Sequence, residues 1–283
     1  MKIAVTGGSG KAGRYTIREL LDHGHQATNL DRVAPEQPLC RTVRLDLADL
    51  GQVYGALVGH DAVVHLAAIP SPGGVPPEVV FHNNVMSTFN VVEAAVNLGL
   101  KRVVIAGSES ALGFPFATHR IAPQYLPIDE EHPLLPQDPY GLGKIVVEDI
   151  CRTATRRAGV PTLSLRFSWI SPAEEYAKRF MPSWEDPERG KFNLWAYIDA
   201  RDVGRSCRLA VEADTTGFEA LYIAAADTFM NVPTRELVQR FFPEVTRLKE
   251  GWGGYQSTLD GAKAARLIGF VPQYSWRQVL PGQ

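Results

Sequence analysis

KIAVTGGSGKAG, residues 2–13, runs from a β-branched segment through a glycine-rich turn into a stretch with helical periodicity. Gly7, Gly10 and Gly13 fall three apart at that junction. In a strand–turn–helix setting each glycine has its own task. One permits the tight turn, one lets a pyrophosphate approach the backbone, and one lets helix and strand pack closely. A glycine triplet alone also fits an ordinary loop, so the reading rests on its flanks. Outward from it the alternation continues. Strand-like runs fall at 2–6, 26–31, 42–45, 62–65, 102–106 and 162–167, with helical patterns at 11–23, 50–57, 77–98 and 140–158. Repeated β-α-β units predict an α/β fold, a doubly wound parallel sheet with helices on both faces.

Near residue 168 the rhythm breaks. SWISPAEEYAKRFMPSWEDPERGKFN, residues 168–193, is rich in aromatics, charge and proline and has no clean period. Sheet material is expected again at 194–198, followed by a helix at 201–212, a strand at 221–225 and helical patterns at 234–242 and 260–268. This predicts a dinucleotide-binding domain over 1–168, its sheet completed by about 194–226. The remainder, 169–283, reads as a small interleaved C-terminal region for the substrate.

The 283 residues are 45% hydrophobic and 21% charged with net charge −2, an ordinary globular balance. No basic stripe invites nucleic acid or an anionic membrane, and apolar runs such as DAVVHLAAI are too short to cross a bilayer. Cys40, Cys151 and Cys207 are widely spaced, and neither they nor the seven histidines show metal-ligand spacing. No metal is expected. A reducing compartment fits, and MKIAVTGG lacks signal-peptide architecture, so the expected location is cytoplasmic.

The second strand ends in NLDR. Asp31 lies about 20 residues beyond the glycines, where a carboxylate meets the adenosine ribose hydroxyls. Its charge opposes a 2′-phosphate and favours NAD over NADP. Arg32 pulls the other way, because an arginine there accommodates the phosphate. Asp46, in DLAD after the third strand, is a candidate for the adenine edge, and Asp49 for a helix cap.

These motifs continue in order. HLAA (65–68) closes the fourth strand, NNVMSTFNVVEAA (83–95) makes a helix, and GSESALGF (107–114) follows the fifth strand. DPYGLGK (138–144) sets Tyr140 and Lys144 on one helical face. Together they resemble the extended short-chain dehydrogenase/reductase family, also called the NAD-dependent epimerase/dehydratase family, over roughly residues 1–170. The tail LDGAKAARLIGFVPQYSW is similar to that family's closing segment.

The resemblance implies a Rossmann-type fold, NAD as cofactor and a homodimer paired through helices 77–98 and 140–158. It implies a cofactor set of Gly7, Ser9, Gly10, Lys11, Ala12, Gly13, Asp31, Arg32, Asp46, Leu47, Leu66, Ala67, Ala68, Asn84, Tyr140 and Lys144. In YxxxK the tyrosine is the acid/base and the lysine holds the nicotinamide ribose. A free tyrosine has a pKa of about 10, so nearby positive charge is expected to favour its anion. Ser108 falls at the catalytic hydroxyl, with Ser110 as the alternative. Gly107 and Leu112 depart from the family's serine and tyrosine.

Two further departures bear on substrate. Nucleotide-sugar members carry an asparagine after the sixth strand where Trp169 stands. They also place an arginine on the nucleotide pyrophosphate where WAYIDARD has Trp195, with Asp199 at a histidine. A pyrophosphate needs a guanidinium fork or its equal. What remains looks like the uronate dehydrogenase branch, which oxidises a free sugar acid at C1 to a lactone. Arg189 and Lys191 are the favoured anchors for a carboxylate, ahead of Arg179, whereas Arg166 on a buried strand reads as an internal ion-pair partner. Ser71, Ser108, Ser110 and Tyr140 complete the expected substrate contacts. The leading expectation is an NAD-dependent dehydrogenase of a free sugar acid or sugar. An epimerase or dehydratase with tightly held NAD is the alternative, and a non-catalytic dinucleotide sensor comes last.

Overall fold

The computed structural model describes residues 1–280. Its main sheet has seven parallel strands: β1 (Lys2–Thr6), β2 (Gln26–Asp31), β3 (Arg41–Arg44), β4 (Ala62–His65), β5 (Arg102–Ser108), β6 (Thr162–Phe167) and β9 (Phe218–Ile223). They lie in the order β3-β2-β1-β4-β5-β6-β9. The chain winds outward from β1 to β3, then returns to β1's other edge. That reversal opens a crevice beyond the carboxyl ends of β1 and β4, where ligands of such sheets bind.

Helices α1 (Lys11–Asp22), α2 (Leu50–Leu57), α3 (Pro77–Asn97), α4 (Pro139–Ala158) and α6 (Ala200–Glu212) cover the two faces. One core packs α1 and α6 against the sheet through Ile17, Leu20, Val203 and Cys207. The opposite core packs α2, α3 and α4 through Val53, Val91, Ala95 and Val147. Local chemistry fixes the ends of α4. Asp138 accepts from the Tyr140 and Gly141 amides at 2.9 Å, Pro139 supplies the first turn, and Gly159 closes it at φ +71°.

The segment after β6 departs from its expected form. Trp169–Ser171 is strand β7 and pairs in parallel with β8 (Tyr197–Asp199) as a separate two-stranded sheet. The strand expected at 194–198 therefore starts later and does not join the main sheet, which β9 alone completes. Leu194 and Trp195 take φ of 54° and 58°, outside the extended region, and this delays the strand. Helix α5 (Tyr176–Glu185) was hidden in the sequence by an internal proline, Pro182. An aromatic core of Tyr176, Phe180, Trp195, Tyr197, Phe229 and Trp276 joins α5 to α7 (Thr234–Phe241) and the strands, and α8 (Ala262–Ile268) packs on β9.

Candidate active site

A cavity of about 970 Å³ opens at the carboxyl ends of β1, β2 and β4. Of the residues named for the cofactor, Gly7, Ser9, Gly10, Asp31, Arg32, Leu47, Leu66, Ala67 and Ala68 line it. Gly7 has φ +68°, and a Cβ there would lie 2.7 Å from the Ala67 nitrogen. At Gly13 a Cβ would lie 2.2 Å from the Gly7 oxygen, so helix and turn touch backbone to backbone. The amino terminus of α1 carries no side-chain cap and no acidic residue in its first turn. Uncapped N–H groups beside an open cavity fit a dinucleotide pyrophosphate.

Asp31 is held by the Ser9 amide at 3.0 Å and the Val33 amide at 3.2 Å. Arg32 donates to Asp46 at 2.7 Å, and this bond holds the Asp46 carboxyl below its usual range. Each of the two thus occupies the other. Asp46, expected at an adenine edge, ties down Arg32, and Arg32's charge is already matched. Lys11 does not line the cavity; it reaches Glu175 at 2.8 Å, while neighbouring Glu174 does line it. Ala12 and Gly13 serve the packing of α1.

Asn84 does not line the cavity and is engaged with the protein itself. Its amide accepts from the Ile69 N–H at 2.8 Å and donates to the Ile69 carbonyl at 2.9 Å, clamping the loop after β4. A second device holds the same loop. The β1–β4 register sets Thr6 beside His65. The Ala67 amide donates to Thr6 Oγ1 (3.2 Å), and Thr6 bonds His65 Nδ1 (2.7 Å). His65 Nε2 bonds Thr88 Oγ1 (3.0 Å), and Thr88 donates its one hydrogen to the Asn84 carbonyl (2.8 Å). That last bond fixes the direction of the chain. Thr88 must accept from Nε2–H, and in the neutral imidazole Nδ1 then accepts from Thr6. Burial, with the Lys144 charge behind it, pushes the His65 pKa down to about 3.

The Ser110 amide donates to Ser108 Oγ at 3.1 Å, and Ser108 stands near enough to Tyr140 to favour its phenolate. Ser110 thus supports Ser108 rather than replacing it. Lys144 Nζ donates to the Ala106 carbonyl at 2.6 Å and lies 5.4 Å from the Tyr140 ring centre. Both side chains are buried, and burial outweighs mutual help. It pushes Tyr140 up to about 12, against the influence of nearby Ser108, and Lys144 down to about 8, against Glu148. The lysine's expected lowering of the tyrosine is absent from this arrangement. Glu109, next to Ser108, is a buried acid that sequence reading missed. Burial holds its carboxyl well above the usual range.

The cations divide differently from expectation. Arg189 is exposed, and Lys191 is spent on Glu188. Arg179, ranked lower, has its guanidinium 5.0 Å from the Trp169 ring centre and donates to the Ile170 carbonyl and Ser171 while pairing with Glu175. Arg166 pairs with Glu148 inside the protein at 2.8 Å, with Ser164 on the same carboxyl. Ser71 is half-buried in the loop between β4 and α3. Among the described residues no cluster of side chains could hold a metal, and no helix is long and apolar enough to cross a membrane.

A family model described as the NAD dependent epimerase/dehydratase family matches residues 3–218. The chain is 32% identical over 217 residues to an L-arabinose 1-dehydrogenase (NAD(P)(+)) of Haloferax volcanii, a match covering 75% of this chain and 83% of that protein. It is 29% identical over 191 residues to a uronate dehydrogenase of Pseudomonas putida, covering 65% and 66%. It is also 30% identical over 228 residues to UDP-glucose 4-epimerase 2 of Oryza sativa subsp. japonica, covering 74% of this chain but about half (53%) of that longer enzyme. A short-chain dehydrogenase/reductase superfamily protein from Agrobacterium tumefaciens, solved with bound NAD, shares the fold. Its TM-score is 0.74 at 21% identity, with 99% of this chain and 94% of that one covered. The matched span takes in the glycine turn, Asp31, Ser108 and the Tyr140–Lys144 helix in order, and this chain belongs to the NAD dependent epimerase/dehydratase family.

Proposed function

We propose that the protein is an NAD-dependent dehydrogenase of a free, unphosphorylated sugar, oxidising the C1 hydroxyl of the ring to a lactone. One observation carries the choice over a sugar nucleotide. Trp195, at the position of the pyrophosphate arginine, is fully buried. Its Nε1–H is spent on the Pro187 carbonyl at 2.9 Å, and its ring packs on Phe241 and Phe242. An aromatic core fills the place where a guanidinium would meet phosphate.

Bound NAD supplies the hydride acceptor. Tyr140 takes the proton of the substrate hydroxyl, Ser108 steadies its oxygen, and Lys144 adds positive charge that favours the phenolate once a substrate and cofactor are in place. Gly7, Ser9, Gly10 and Asp31 would hold the cofactor, with Asp31 on the adenosine ribose and the Arg32–Asp46 pair denying a 2′-phosphate its cation. A neutral sugar fits better than a sugar acid, because Lys191 and Arg179 are already paired and Arg189 faces solvent. The intact Ser108–Tyr140–Lys144 set argues against a non-catalytic sensor. We further propose a homodimer through α3 and α4, whose exposed Val79, Phe89 and Leu142 offer an apolar face. Sedimentation showing only a ~31 kDa species at micromolar concentration would remove it.

A panel of neutral sugars, matched sugar acids and UDP-sugars with NAD tests the reading. Stoichiometric absorbance of reduced cofactor with a free sugar supports it. An isomerised sugar without net reduction means an epimerase.

A further inference from the structure

Asn90 lies on α3 and is 4% exposed. Its side-chain amide gives both hydrogens to one turn, the turn that follows β3. Nδ2 donates to the Leu47 carbonyl at 2.9 Å and to the Ala48 carbonyl at 3.0 Å. The other side of the turn is knit to Asp46. The Ala48 amide donates to Asp46 Oδ1 at 2.9 Å, and Arg32 donates to the same oxygen at 2.7 Å. From the solvent side the exposed Gln52 accepts the Asp46 N–H at 3.0 Å. The sheet brings this turn to the cofactor. The β2–β3 register sets Asp31 beside Arg44, the Leu45 amide donates to the Asp31 carbonyl at 3.1 Å, and Leu47 lines the cavity with Asp31 and Arg32. Asn90 itself does not line the cavity, although Asn83 and Ser87 on the same helical face do.

We propose that Asn90 is a positioning residue for the cofactor, whose tether on the Leu47 and Ala48 carbonyls fixes the wall of the adenosine end and holds Asp46 against Arg32. It therefore helps to set the preference for NAD over NADP without touching either. The inference rests on the reading of Asp31 as the adenosine-ribose residue and of Arg32–Asp46 as the pair withheld from a 2′-phosphate. The physical reason is the fate of two backbone carbonyls. Held by Asn90 they are satisfied inside the protein. Without it they must find other donors, and the turn reaches them by shifting toward water. Leu47 and Asp46 move with the turn, one away from the cavity wall and the other away from Arg32. The neighbours of Asn90 on α3, among them Val91, Val92, Ala94 and Ala95, are buried apolar residues that pack without an amide.

Asn90→Ala removes both donors and changes no residue of the cavity lining. Calorimetric titration with NAD and with 5′-AMP, the adenosine half alone, should show both Kd values raised by about tenfold. An NAD Kd within about twofold of the parent overturns the proposal. A loss on NAD that 5′-AMP does not share overturns it as well, because the defect then lies away from the adenosine end. Asn90→Ser keeps one short donor and should raise both values by about threefold. It carries the test if the alanine variant does not fold, and parent-like binding in it also overturns the proposal. NADP is titrated alongside. Asn90→Ala should narrow the NADP-to-NAD ratio of Kd values by about threefold, and the Asn90→Ala/Asp46→Ala double variant should narrow it no further than Asp46→Ala does alone. Factors that multiply in the double variant overturn the route through the turn. An unchanged ratio in Asp46→Ala refutes the Arg32–Asp46 reading instead, and the shared loss of NAD and 5′-AMP affinity then decides the role of Asn90 by itself.

Discussion

His65 is expected to make the fold acid-sensitive, and its hydrogen-bond chain gives the size of the effect. The imidazole is neutral in the fold with a pKa of about 3, whereas a free imidazole titrates near 6.5. Below about pH 6.5 the unfolded chain binds a proton that the folded protein refuses, so stability falls as pH falls. At about 1.4 kcal/mol per pH unit, the loss is roughly 2.7 kcal/mol by pH 4.5 and nears 5 kcal/mol at pH 3. The decisive comparison is with His65→Gln, which cannot gain the proton. At pH 7 the variant should be less stable by about 1–3 kcal/mol, because Thr6 and Thr88 lose well-placed partners. Urea unfolding at both pH values should then give curves that converge, the parent losing ~2.7 kcal/mol more than the variant by pH 4.5. Other acids titrate in both proteins and cancel. A parent–variant difference that is the same at pH 7 and pH 4.5 would refute the neutral, one-directional chain from Ala67 to Asn84.

Tyr140→Phe keeps the ring and removes the proton acceptor, so turnover should fall by about 10²-fold or more while fluorescence titration gives an unchanged NAD affinity. Arg166→Met strands Glu148 without its buried partner and is expected to cost about 3–5 kcal/mol in denaturant unfolding, much of it recovered in a Glu148→Leu/Arg166→Met double variant. NAD should bind more tightly than NADP, and Asp46→Ala, by releasing Arg32, should narrow that preference in competitive titration. An unchanged ratio would mean that Arg32 does not reach the 2′ position.

The dinucleotide-binding half was legible because its rules are local. A glycine turn, strands of buried aliphatic residues and a capped Tyr140 helix each announce themselves within a few residues, and all seven expected helical patterns needed only small changes at their ends. Partnerships across the sheet were not legible. Thr6 and His65 are distant in sequence, and only the β1–β4 register sets them together. Asn84 matched a motif, but its role depends on where Ile69 turns. After β6 the signal failed for a different reason. Phe180, Trp195 and Phe229 meet in a core whose elements are short, and Leu194 and Trp195 interrupt the strand with a left-handed backbone that neighbouring residues do not betray. Ranking Arg189 and Lys191 above Arg179 followed from the same blindness, because charge without contacts says nothing of what is already paired.

The contact between Lys11 and Glu175 spans from the glycine turn to the segment that brings Glu174 to the cavity wall. Both side chains are about one-third exposed. An ion pair in that setting contributes at most ~1 kcal/mol and weakens with salt. Such a tie closes the rim without sealing it, and thermal motion breaks it often. An enzyme that returns its hydride within one cycle gains from a sealed cofactor, whereas one that reduces it must discharge and reload at every turnover. A rim held so lightly suits the second way of working. Cofactor release that quickens with ionic strength, in the parent and not in Lys11→Ala, would be its kinetic signature.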